Sequence, residues 1–405
     1  MAMLASGVAT LRDPATIRQR CANVTAAVEA GSSARFALDR SKLAAVADRV
    51  AALTRRRFGD GPIPFHSRWR HFEAGGVDRK AELDAALAGR DEAEIARSRI
   101  DLAIVSVLLD AGAGASWSYV EAGGARFKRS EGLAVASFRA FMAGVFSSNP
   151  REPWRVDADA LAALDAVTLA ARFQVRDGNP LVGLDGRVAL LRRLAEALRQ
   201  RQDTFGADAR PGRLFDALTA SGRVHAGDVL RTLLDAFSGI WPSGQVFAAT
   251  PVGDAWPHPA GGGEGPSAGW VPFHKLSQWL AYSLLEPLQW AGVPVDGLDA
   301  LTGLPEYRNG GLLIDAGVIV PLDPLFATRT FTPADPWVVE WRALTVTLLD
   351  DLAPMVRSRL GRSAAQMPLA CVLEGGTWAA GREMAAERRP GGAPPVALDS
   401  DGTLF

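Results

Sequence analysis

Apolar residues recur at three- and four-residue spacing along most of this 405-residue chain, and this is the period of an amphipathic α-helix. Alternating apolar and polar residues, the pattern of a half-buried strand, are scarce. The spacing predicts helices over residues 41–57, 79–110, 131–146, 157–174, 187–204, 225–238, 271–291, 336–360 and 376–388. Short strands are predicted near 312–320 and 396–398. We therefore expect a mainly α fold with a few short strands.

Two of these helices carry start signals. Asp335 followed by Pro336 provides an N-cap and a proline at the first helical position, where the missing N–H costs nothing. Val271 followed by Pro272 is interpreted in a similar way. These signals predict that the two helices begin at the prolines.

Gly- and Pro-rich stretches set the expected domain organisation. Residues 250–270 are so rich in both that we expect a flexible loop without regular structure, of the kind that forms lids, binding loops or linkers. We expect one large helical domain over residues 1–374. Residues 375–405 are expected to form a C-terminal helix and a tail docked on this body, with Phe405 as part of the contact.

Composition excludes several classes of function. A net charge of −1 provides no global field for nucleic acid or an anionic membrane. Cys21 and Cys371 are far apart in sequence, so a disulfide framework or a zinc ribbon is not expected. The first residues lack the pattern of a signal peptide, and no apolar run approaches the ~20 residues that span a bilayer. We expect a cytoplasmic protein that binds neither nucleic acid nor membrane.

Common catalytic and cofactor motifs are absent from the sequence. It contains no GxxxxGK[ST] or HExxH, and no GxGxxG that opens a helix. The five histidines are scattered and show no metal-ligand spacing; they are His66, His71, His225, His258 and His274. We therefore predict no metal and no cofactor.

The segment 64–73 is the densest cluster of polar and aromatic residues. Arg68 and Arg70 in this segment are suited to bidentate anion binding, framed by Trp69 and Phe72. The alternative is a surface stretch that packs on the core. The sequence leaves both interpretations open.

Asp110 ends a continuously apolar stretch that starts after Asp101, which predicts a buried helix. The dipole at the C-terminus of a helix disfavours an anion by up to ~1 kcal/mol. A carboxylate at that position needs a compensating partner or a ligand, and Trp117 and Tyr119 follow within nine residues. The alternative is a helix end that is simply exposed to solvent.

Four large side chains share one face of the helix predicted after Pro272. Lys275, Trp279, Tyr282 and Glu286 have the i, i+4, i+7, i+11 spacing that places them on that face. A solvated face is the usual meaning of such a stripe. The two aromatic residues between the charges favour a lined cleft.

Arg342 lies within the apolar arc of the predicted helix 336–360. An unpaired guanidinium buried there would cost several kcal/mol, so Arg342 must meet a carboxylate or an anionic ligand. Glu340 lies at the opposite edge of the arc. The alternative to a ligand site is a buried ion pair with a structural role.

Four segments resemble the Urc/Urg family of uracil-catabolism proteins, and the resemblance runs nearly end to end. They are PFHSRWRHFEAGG (64–76), LPEYRNGGLLIDAGV (304–318), VVEWRALTVTLLD (338–350) and EGGTWAAGRE (374–383), together with the ending SDGTLF. The resemblance implies a role in degrading uracil through uridine nucleotide and ribosylurea-type intermediates. It does not specify the step.

A fainter resemblance links the chain to the queuosine-nucleotide N-glycosylase family. It rests on four segments in the same order, which are Leu108–Trp117, Lys275–Gln278, Leu301–Ile319 and Glu340–Ala343. The resemblance implies a single-domain helical fold like that of DNA glycosylases, of the helix-hairpin-helix type, which Leu-x-Gly-Leu-Pro at 301–305 loosely matches. Carried over residue by residue, it implies that Lys275 and Glu306 are catalytic. Glu306 replaces an aspartate of that family, which suits a smaller leaving group such as that of ribosylurea.

The two resemblances together imply a set of roles. Glu306 would stabilise positive charge on the sugar and activate water, while Lys275 would lower the pKa of Glu306 or neutralise a departing urea. Asp110 and Trp117 would line the leaving-group pocket. Arg342, Arg68 or Arg308 would bind a 5′-phosphate. The other expected substrate-binding residues are Tyr119, Trp279, Tyr282, Glu340 and Arg70.

Two other classes of function stay open. An amidohydrolase would act on the pyrimidine-derived ureide, although such enzymes usually show clustered metal-ligand histidines or an activated cysteine. A non-catalytic protein would bind a pathway intermediate or another pathway enzyme, and no pocket would then lie between Lys275 and Glu306.

Overall fold

The computed structural model describes residues 2–110 and 112–399, and its fold is mainly α. The α-helices are α1 (Ala2–Arg12), α2 (Pro14–Glu29), α3 (Leu43–Phe58), α4 (Arg68–Phe72), α5 (Arg79–Ala86), α6 (Glu92–Leu108), α7 (Arg129–Met142), α8 (Ala158–Ala163), α9 (Ala166–Arg172), α10 (Leu184–Gln200), α11 (Gln202–Phe205), α12 (Leu214–Thr219), α13 (Ala226–Phe237), α14 (Lys275–Trp290), α15 (Tyr307–Asp315), α16 (Pro336–Leu360), α17 (Leu369–Val372) and α18 (Trp378–Arg388). A π-helix over Leu373–Thr377 joins α17 to α18. The predicted class is confirmed, and the likeness to helix-hairpin-helix glycosylases stays a prediction.

The strands are short and form separate pairs. They are β1 (Phe36–Leu38), β2 (Tyr119–Val120), β3 (Arg126–Phe127), β4 (Val224–His225), β5 (Gln245–Phe247), β6 (Thr250–Gly253), β7 (Ala255–Pro257), β8 (Trp270–Pro272), β9 (Val295–Asp296), β10 (Ile319–Pro321), β11 (Thr330–Phe331) and β12 (Ala397–Leu398). The antiparallel pairs are β1–β10, β2–β3, β5–β6 and β7–β8, while β4–β9 and β11–β12 are parallel. These strand pairs lie in the segments that connect the helices.

Three predicted helices are divided in the structure, and helix capping accounts for two of the breaks. Asp91 caps α6, with its side chain accepting the N–H of Glu94, so the stretch 79–110 is divided into α5 and α6. Asp165 caps α9 in the same way, and the stretch 157–174 becomes α8 and α9. The stretch 187–204 breaks at Arg201 between α10 and α11.

Two predictions about the segment before α14 are wrong. Pro272 ends strand β8, and α14 begins at Lys275 after His274 in the left-handed conformation. The stretch 250–270 contains regular structure, because β7 pairs with β8 and buries Trp256 and Val271. Two loop residues, Phe273 and His274, therefore separate Pro272 from α14, the helix that it was expected to begin.

The stretch 312–320, predicted as a strand, is divided between the end of a helix, a turn and the start of a strand. α15 continues to Asp315, and β10 starts at Ile319. The strand predicted at 396–398 is present as β12, which pairs with β11. Helix α16 begins with Asp335 as N-cap and Pro336 at its first position, as predicted.

The core lies between the long helices. α16 packs against α2 and α3, and α14 packs against α6 and α13. From Ile100 to Leu108 every residue of α6 is buried. None of the helices in the described residues combines the length and the apolar character that crossing a bilayer requires.

The segment after the π-helix packs on α15. A Cβ atom at Gly381 would overlap the carbonyl of Arg308, so α18 and α15 approach closely. Arg389 donates two hydrogen bonds to Asp315, at 2.8 and 2.5 Å. The predicted boundary at residue 374 falls inside the π-helix, and the predicted contact of Phe405 lies outside the described residues.

Candidate active site

A cavity of about 290 Å³ opens where six parts of the chain meet. These are the start of α4, the end of α6, the starts of α7, α14 and α18, and the turn that leads into α15. The cavity is lined by His66, His71, Asp110, Gly112, Ala113, Gly114, Arg129, Ser130, Lys275, Trp279, Leu304, Glu306, Tyr307 and Trp378. Its volume suits a small ligand, near the lower end of the range of ligand pockets.

Lys275 lines this cavity from the first position of α14. Its backbone N–H donates to Oδ2 of Asp254 at 3.0 Å, which fixes the start of the helix. Burial lowers the pKa of Lys275, and the carboxylates of Glu306 and Asp110 offset part of that effect. Lys275 and Glu306 therefore interact electrostatically across the cavity.

Glu306 is the N-cap of α15 and lines the same cavity. Its carboxylate accepts the backbone N–H groups of Arg308 at 2.7 Å and Asn309 at 2.6 Å. Burial raises the pKa of Glu306, whereas these hydrogen bonds and the charge of Lys275 act to lower it. Lys275 thus acts in the predicted direction, but burial outweighs it and the net shift is upward.

Asp110 meets a buried arginine at the end of α6. Its Oδ1 lies 3.0 Å from Nη1 of Arg68, whose side chain has no exposed surface. Arg68 also donates through Nε to Ser106 at 2.7 Å. The compensating partner that the helix dipole requires is therefore Arg68, and Asp110 still lines the cavity.

His71 and Trp279 form an aromatic corner of the cavity. Their rings meet edge to face with centroids 5.6 Å apart. Burial and the charge of Arg68 lower the pKa of His71 to about 4, so its ring is neutral at pH 7. Within the described residues, neither Nδ1 of His71 nor Nε1 of Trp279 has a hydrogen-bond partner. Two polar atoms of this corner are thus unpaired.

His66 is held by a buried carboxylate from the π-helix. Its Nδ1 lies 2.8 Å from Oε2 of Glu374, while Nη2 of Arg57 donates to Oε1 of Glu374 at 2.8 Å. The ring of Trp378 lies beside the imidazole, with centroids 6.1 Å apart. We did not predict His66, Glu374 or Trp378 as site residues, because nothing in the spacing of 64–76 and 374–383 indicates that these segments meet.

Arg342 forms a buried ion pair with Asp254, so it has the structural role that the sequence left open as an alternative to ligand binding. Its two terminal nitrogens donate to Asp254 at 2.7 Å each, and its Nε donates to the carbonyl of Pro305 at 3.3 Å. Because Asp254 also holds the N–H of Lys275, Arg342 connects the starts of α14 and α15. Its predicted phosphate-binding role is not supported by this position, since Arg342 does not line the cavity.

Several other predicted site residues also lie outside the cavity lining. They are Trp117, Tyr119, Tyr282, Arg308, Glu340, Arg68 and Arg70. Trp117 is fully buried and donates to the carbonyl of Phe173 at 2.9 Å, so it belongs to the core. The hydroxyl of Tyr282 donates to the carbonyl of Thr302 at 2.8 Å. The stripe on α14 therefore lines the cavity through Lys275 and Trp279 alone.

The remaining residues of this group have structural partners. Arg308 donates to the carbonyl of Gly392 at 2.9 Å, and Arg70 pairs with Glu286 at 2.9 Å. Glu340 pairs with Arg35 at 3.2 Å. Tyr119 lies in β2, paired with Phe127 of β3. None of these four side chains lines the cavity.

Comparison with known proteins places the chain in a family. Residues 10–405 match the family described as "Protein of unknown function (DUF1688)". The chain belongs to the DUF1688 family. It is 40% identical to "Uracil catabolism protein 4" of Lachancea kluyveri, over 93% of each chain. It is 42% identical to "Protein urg3" of Schizosaccharomyces pombe (strain 972 / ATCC 24843), over 98% of this chain and 99% of that protein.

These relatives confirm the predicted membership of the Urc/Urg family. Of the segments that carried the resemblance, 64–76 contributes His66 and His71 to the cavity of this DUF1688 protein. Segment 304–318 contributes three lining residues, and 374–383 contributes Trp378. Three of the segments by which the DUF1688 chain was recognised thus meet around one cavity, whereas 338–350 contributes no lining residue.

Proposed function

We propose that this protein acts in uracil catabolism by hydrolysing the N-glycosidic bond of a ribosylurea-type substrate, with or without a 5′-phosphate. The observation that carries the proposal is that Lys275 and Glu306, thirty-one positions apart, line one cavity of about 290 Å³. The name of the relative from Lachancea kluyveri supports the pathway. The likeness to queuosine-nucleotide glycosylases supports the reaction class.

Glu306 is suited to the charge that develops on the sugar. As the C1′–N bond breaks, the ribose gains oxocarbenium character, and an anion nearby stabilises it. A carboxylate about 4 Å from this charge, at an effective dielectric constant of ~20, contributes roughly 4 kcal/mol, or about a thousandfold in rate. Glu306 would also accept a proton from the attacking water.

Lys275 complements this carboxylate. Burial lowers the pKa of Lys275 and weakens its hydration, while the opposing charges of Glu306 and Asp110 act against that shift and favour its ammonium form. An ammonium group with few water contacts is available to donate hydrogen bonds to the substrate. We assign Lys275 to the negative charge that builds up on the oxygen of the departing ureido group.

A 5′-phosphate would meet Arg129 at the mouth of the cavity. Arg129 lines the cavity from the first turn of α7, and within the described residues its guanidinium reaches the carbonyl of Gly391 at 3.4 Å and no carboxylate. The N-terminus of α7 adds a favourable dipole. Arg129 replaces Arg342 and Arg308 in this role, since both are committed to other partners.

An amidohydrolase has less support from the structure. Burial raises the pKa of the Cys371 thiol to about 12 and also raises the pKa of Cys21, so neither cysteine is an activated nucleophile. In the described part of the chain, no three His, Cys, Asp or Glu side chains are grouped as metal ligands would be. The cavity between Lys275 and Glu306 favours a small-molecule enzyme over a purely structural partner.

The proposal is tested by incubating the protein with ribosylurea and with its 5′-phosphate and measuring free urea and free sugar. Glu306→Gln should lower turnover about a thousandfold, because the neutral amide cannot stabilise the cation, while calorimetric binding of the substrate persists. Glu264→Gln, at an exposed carboxylate away from the cavity, is the matched control and should keep full activity. Wild-type protein that releases urea from neither compound would refute the proposal.

A further inference from the structure

We propose that His66 is the general acid of the reaction, held in place by Glu374. This inference rests on the proposed glycosidase function and adds a catalytic residue to it. His66 would donate the proton that allows the ureido nitrogen to leave the sugar. Glu374 would act as its positioning residue.

The chemistry requires a proton donor in addition to Glu306 and Lys275. When the C1′–N bond breaks, both bonding electrons stay on the nitrogen, and a urea anion is far too basic to depart on its own. A positioned acid lowers this barrier by protonating the nitrogen as the bond breaks. Glu306 is already assigned to the cationic sugar and the water, so the acid must come from elsewhere in the cavity.

His66 has the geometry of an oriented acid. Its Nδ1 is engaged by Glu374 at 2.8 Å, and its backbone N–H donates to the carbonyl of Ala370 at 3.0 Å. The imidazole lines the cavity, and none of the described residues forms a hydrogen bond with its Nε2. A carboxylate on Nδ1 fixes the ring orientation and leaves the Nε2 side of the ring to face the substrate.

The π-helix explains how Glu374 reaches this position. A π-turn inserts one extra residue into a helix and is often found at functional sites. Glu374 lies within the turn Leu373–Thr377, and its side chain is 10% exposed. Arg57 donates to Oε1 of Glu374, so each carboxylate oxygen has its own partner. Glu374 is thereby held as an anion next to the imidazole.

The other titratable groups around the cavity are less suited to this role. His71 is neutral at pH 7, because burial and Arg68 lower its pKa to about 4, and no carboxylate engages its Nδ1. Asp110 is paired with Arg68. Lys275 is already assigned to the negative charge on the oxygen of the departing ureido group. His66 alone among these groups combines a fixed ring with a nitrogen that has no protein partner in the described chain.

The proton on Nε2 of His66 moves to the ureido nitrogen while the C1′–N bond breaks, and urea leaves as a neutral molecule. Water adds to C1′ and gives a proton to Glu306. That proton returns through solvent to His66, so that ribosylurea and water become ribose and urea with the enzyme unchanged.

The decisive test compares two leaving groups. His66→Gln should lower kcat for ribosylurea by 10²–10⁴-fold. The same variant should keep kcat for p-nitrophenyl riboside within a few-fold of wild type, because nitrophenolate departs without protonation. An equal loss on both substrates, or no loss on ribosylurea, would overturn the role of His66.

Glu374→Gln tests the positioning role. It should move the alkaline limb of the pH–rate profile for ribosylurea to lower pH, because the imidazolium loses its counter-ion. Asp315→Asn, which removes a buried carboxylate that is paired with Arg389 and does not line the cavity, is the matched control and should leave that profile unmoved. An unchanged profile in Glu374→Gln would refute the positioning role.

A spectroscopic measurement separates failure of this inference from failure of the proposed function. ¹⁵N NMR of the imidazole in the wild-type protein should show protons on both Nδ1 and Nε2 of His66 at pH values below the alkaline limb of the pH–rate profile, and the Nδ1 signal should change in Glu374→Gln. A proton on Nε2 alone would overturn the arrangement whatever the protein hydrolyses. Absence of urea release by wild type would remove the proposed function and this inference together.

Discussion

Two arginines are buried beside the cavity, and each is neutralised by an aspartate that the sequence could not assign to it. Arg68 meets Asp110 from the end of α6, and Arg342 meets Asp254 from the segment before β7. Breaking either pair would leave a buried charge without a partner, which typically costs about 3–5 kcal/mol. Both pairs hold neighbouring parts of the cavity wall together.

His71 makes the stability of the protein depend on pH. Its pKa is lowered to about 4 in the folded protein, below the ordinary pKa of 6.5 for a histidine side chain. Between these two pH values the unfolded chain binds a proton that the folded chain does not, so stability is lost as pH falls. Allowing for screening by water in the cavity, the loss from pH 6.5 to 4 is on the order of 2 kcal/mol.

His71→Phe keeps an aromatic ring against Trp279 and removes the titration. We expect the free energy of unfolding, measured with urea, to fall less steeply with acidification in the variant than in wild type. His225→Asn, at an exposed histidine whose helix-capping role asparagine retains, should keep the wild-type slope. Equal slopes in His71→Phe and wild type would contradict the burial of an uncharged imidazole.

At the scale of single residues, the sequence indicates which side chains need partners but does not identify the partners. The requirement for a counter-ion followed for Arg342 from its apolar surroundings and for Asp110 from the helix dipole. Asp254 lies 88 positions from Arg342 in a segment without a clear period, so spacing could not pair them. His66 was overlooked for the same reason, because its partner Glu374 is 308 positions away.

At the scale of elements, the π-helix next to α3 depends on two glycines. A Cβ atom at Gly376 would lie 2.7 Å from the carbonyl oxygen of Val50 and 2.8 Å from its Cγ1. Gly375 faces Thr54 at 3.1 Å. Glycine at these positions allows α3 to approach the turn that carries Glu374.

Gly376→Ala should force α3 and the π-helix apart and lower the free energy of unfolding by about 1–3 kcal/mol. Because Glu374 moves with the turn, we also expect weaker turnover. Gly186→Ala places the same methyl group in α10, where nothing lies within 4 Å, and should stabilise the protein by about 0.5–1 kcal/mol. Chemical denaturation of both variants measures the two effects, and a stabilised Gly376→Ala would contradict the contact.

Long helices were predictable from periodicity, whereas short elements held by tertiary contacts were not. α16 begins at Pro336 as predicted, because its N-cap signal is local. Asp13 with Pro14 gives the same signal before α2, and we overlooked it. The pair β7–β8 contains Trp256 and Val271, which are buried by residues distant in sequence. No local sequence pattern predicts that burial.

At the scale of the whole molecule, the segment from Trp378 onward completes both the cavity and the surroundings of α15. Trp378 lines the cavity. The carbonyl of Gly392 accepts a hydrogen bond from Arg308, and Arg389 forms an ion pair with Asp315. Loss of this segment would leave a buried guanidinium and a buried carboxylate without partners. Their combined cost of several kcal/mol is comparable with the roughly 5–15 kcal/mol that stabilises a typical domain.

A chain that ends at Thr377 should therefore show no cooperative unfolding transition when followed by circular dichroism in urea. Arg389→Ala, which removes one ion pair from the same segment, should unfold cooperatively at a lower urea concentration than wild type. A truncated chain with the wild-type midpoint would show that the helical body is independent of this segment.

The order in which the cavity walls occur along the polypeptide has a consequence for biosynthesis. His66, Lys275 and Glu306 leave the ribosome well before Trp378 does. A nascent chain can therefore contain every proposed reactive group and still lack the side of the cavity that Trp378 forms. Chains that terminate before Trp378 should lack a complete cavity, and dividing the chain just before Trp378 should give two fragments whose reassembly can be measured.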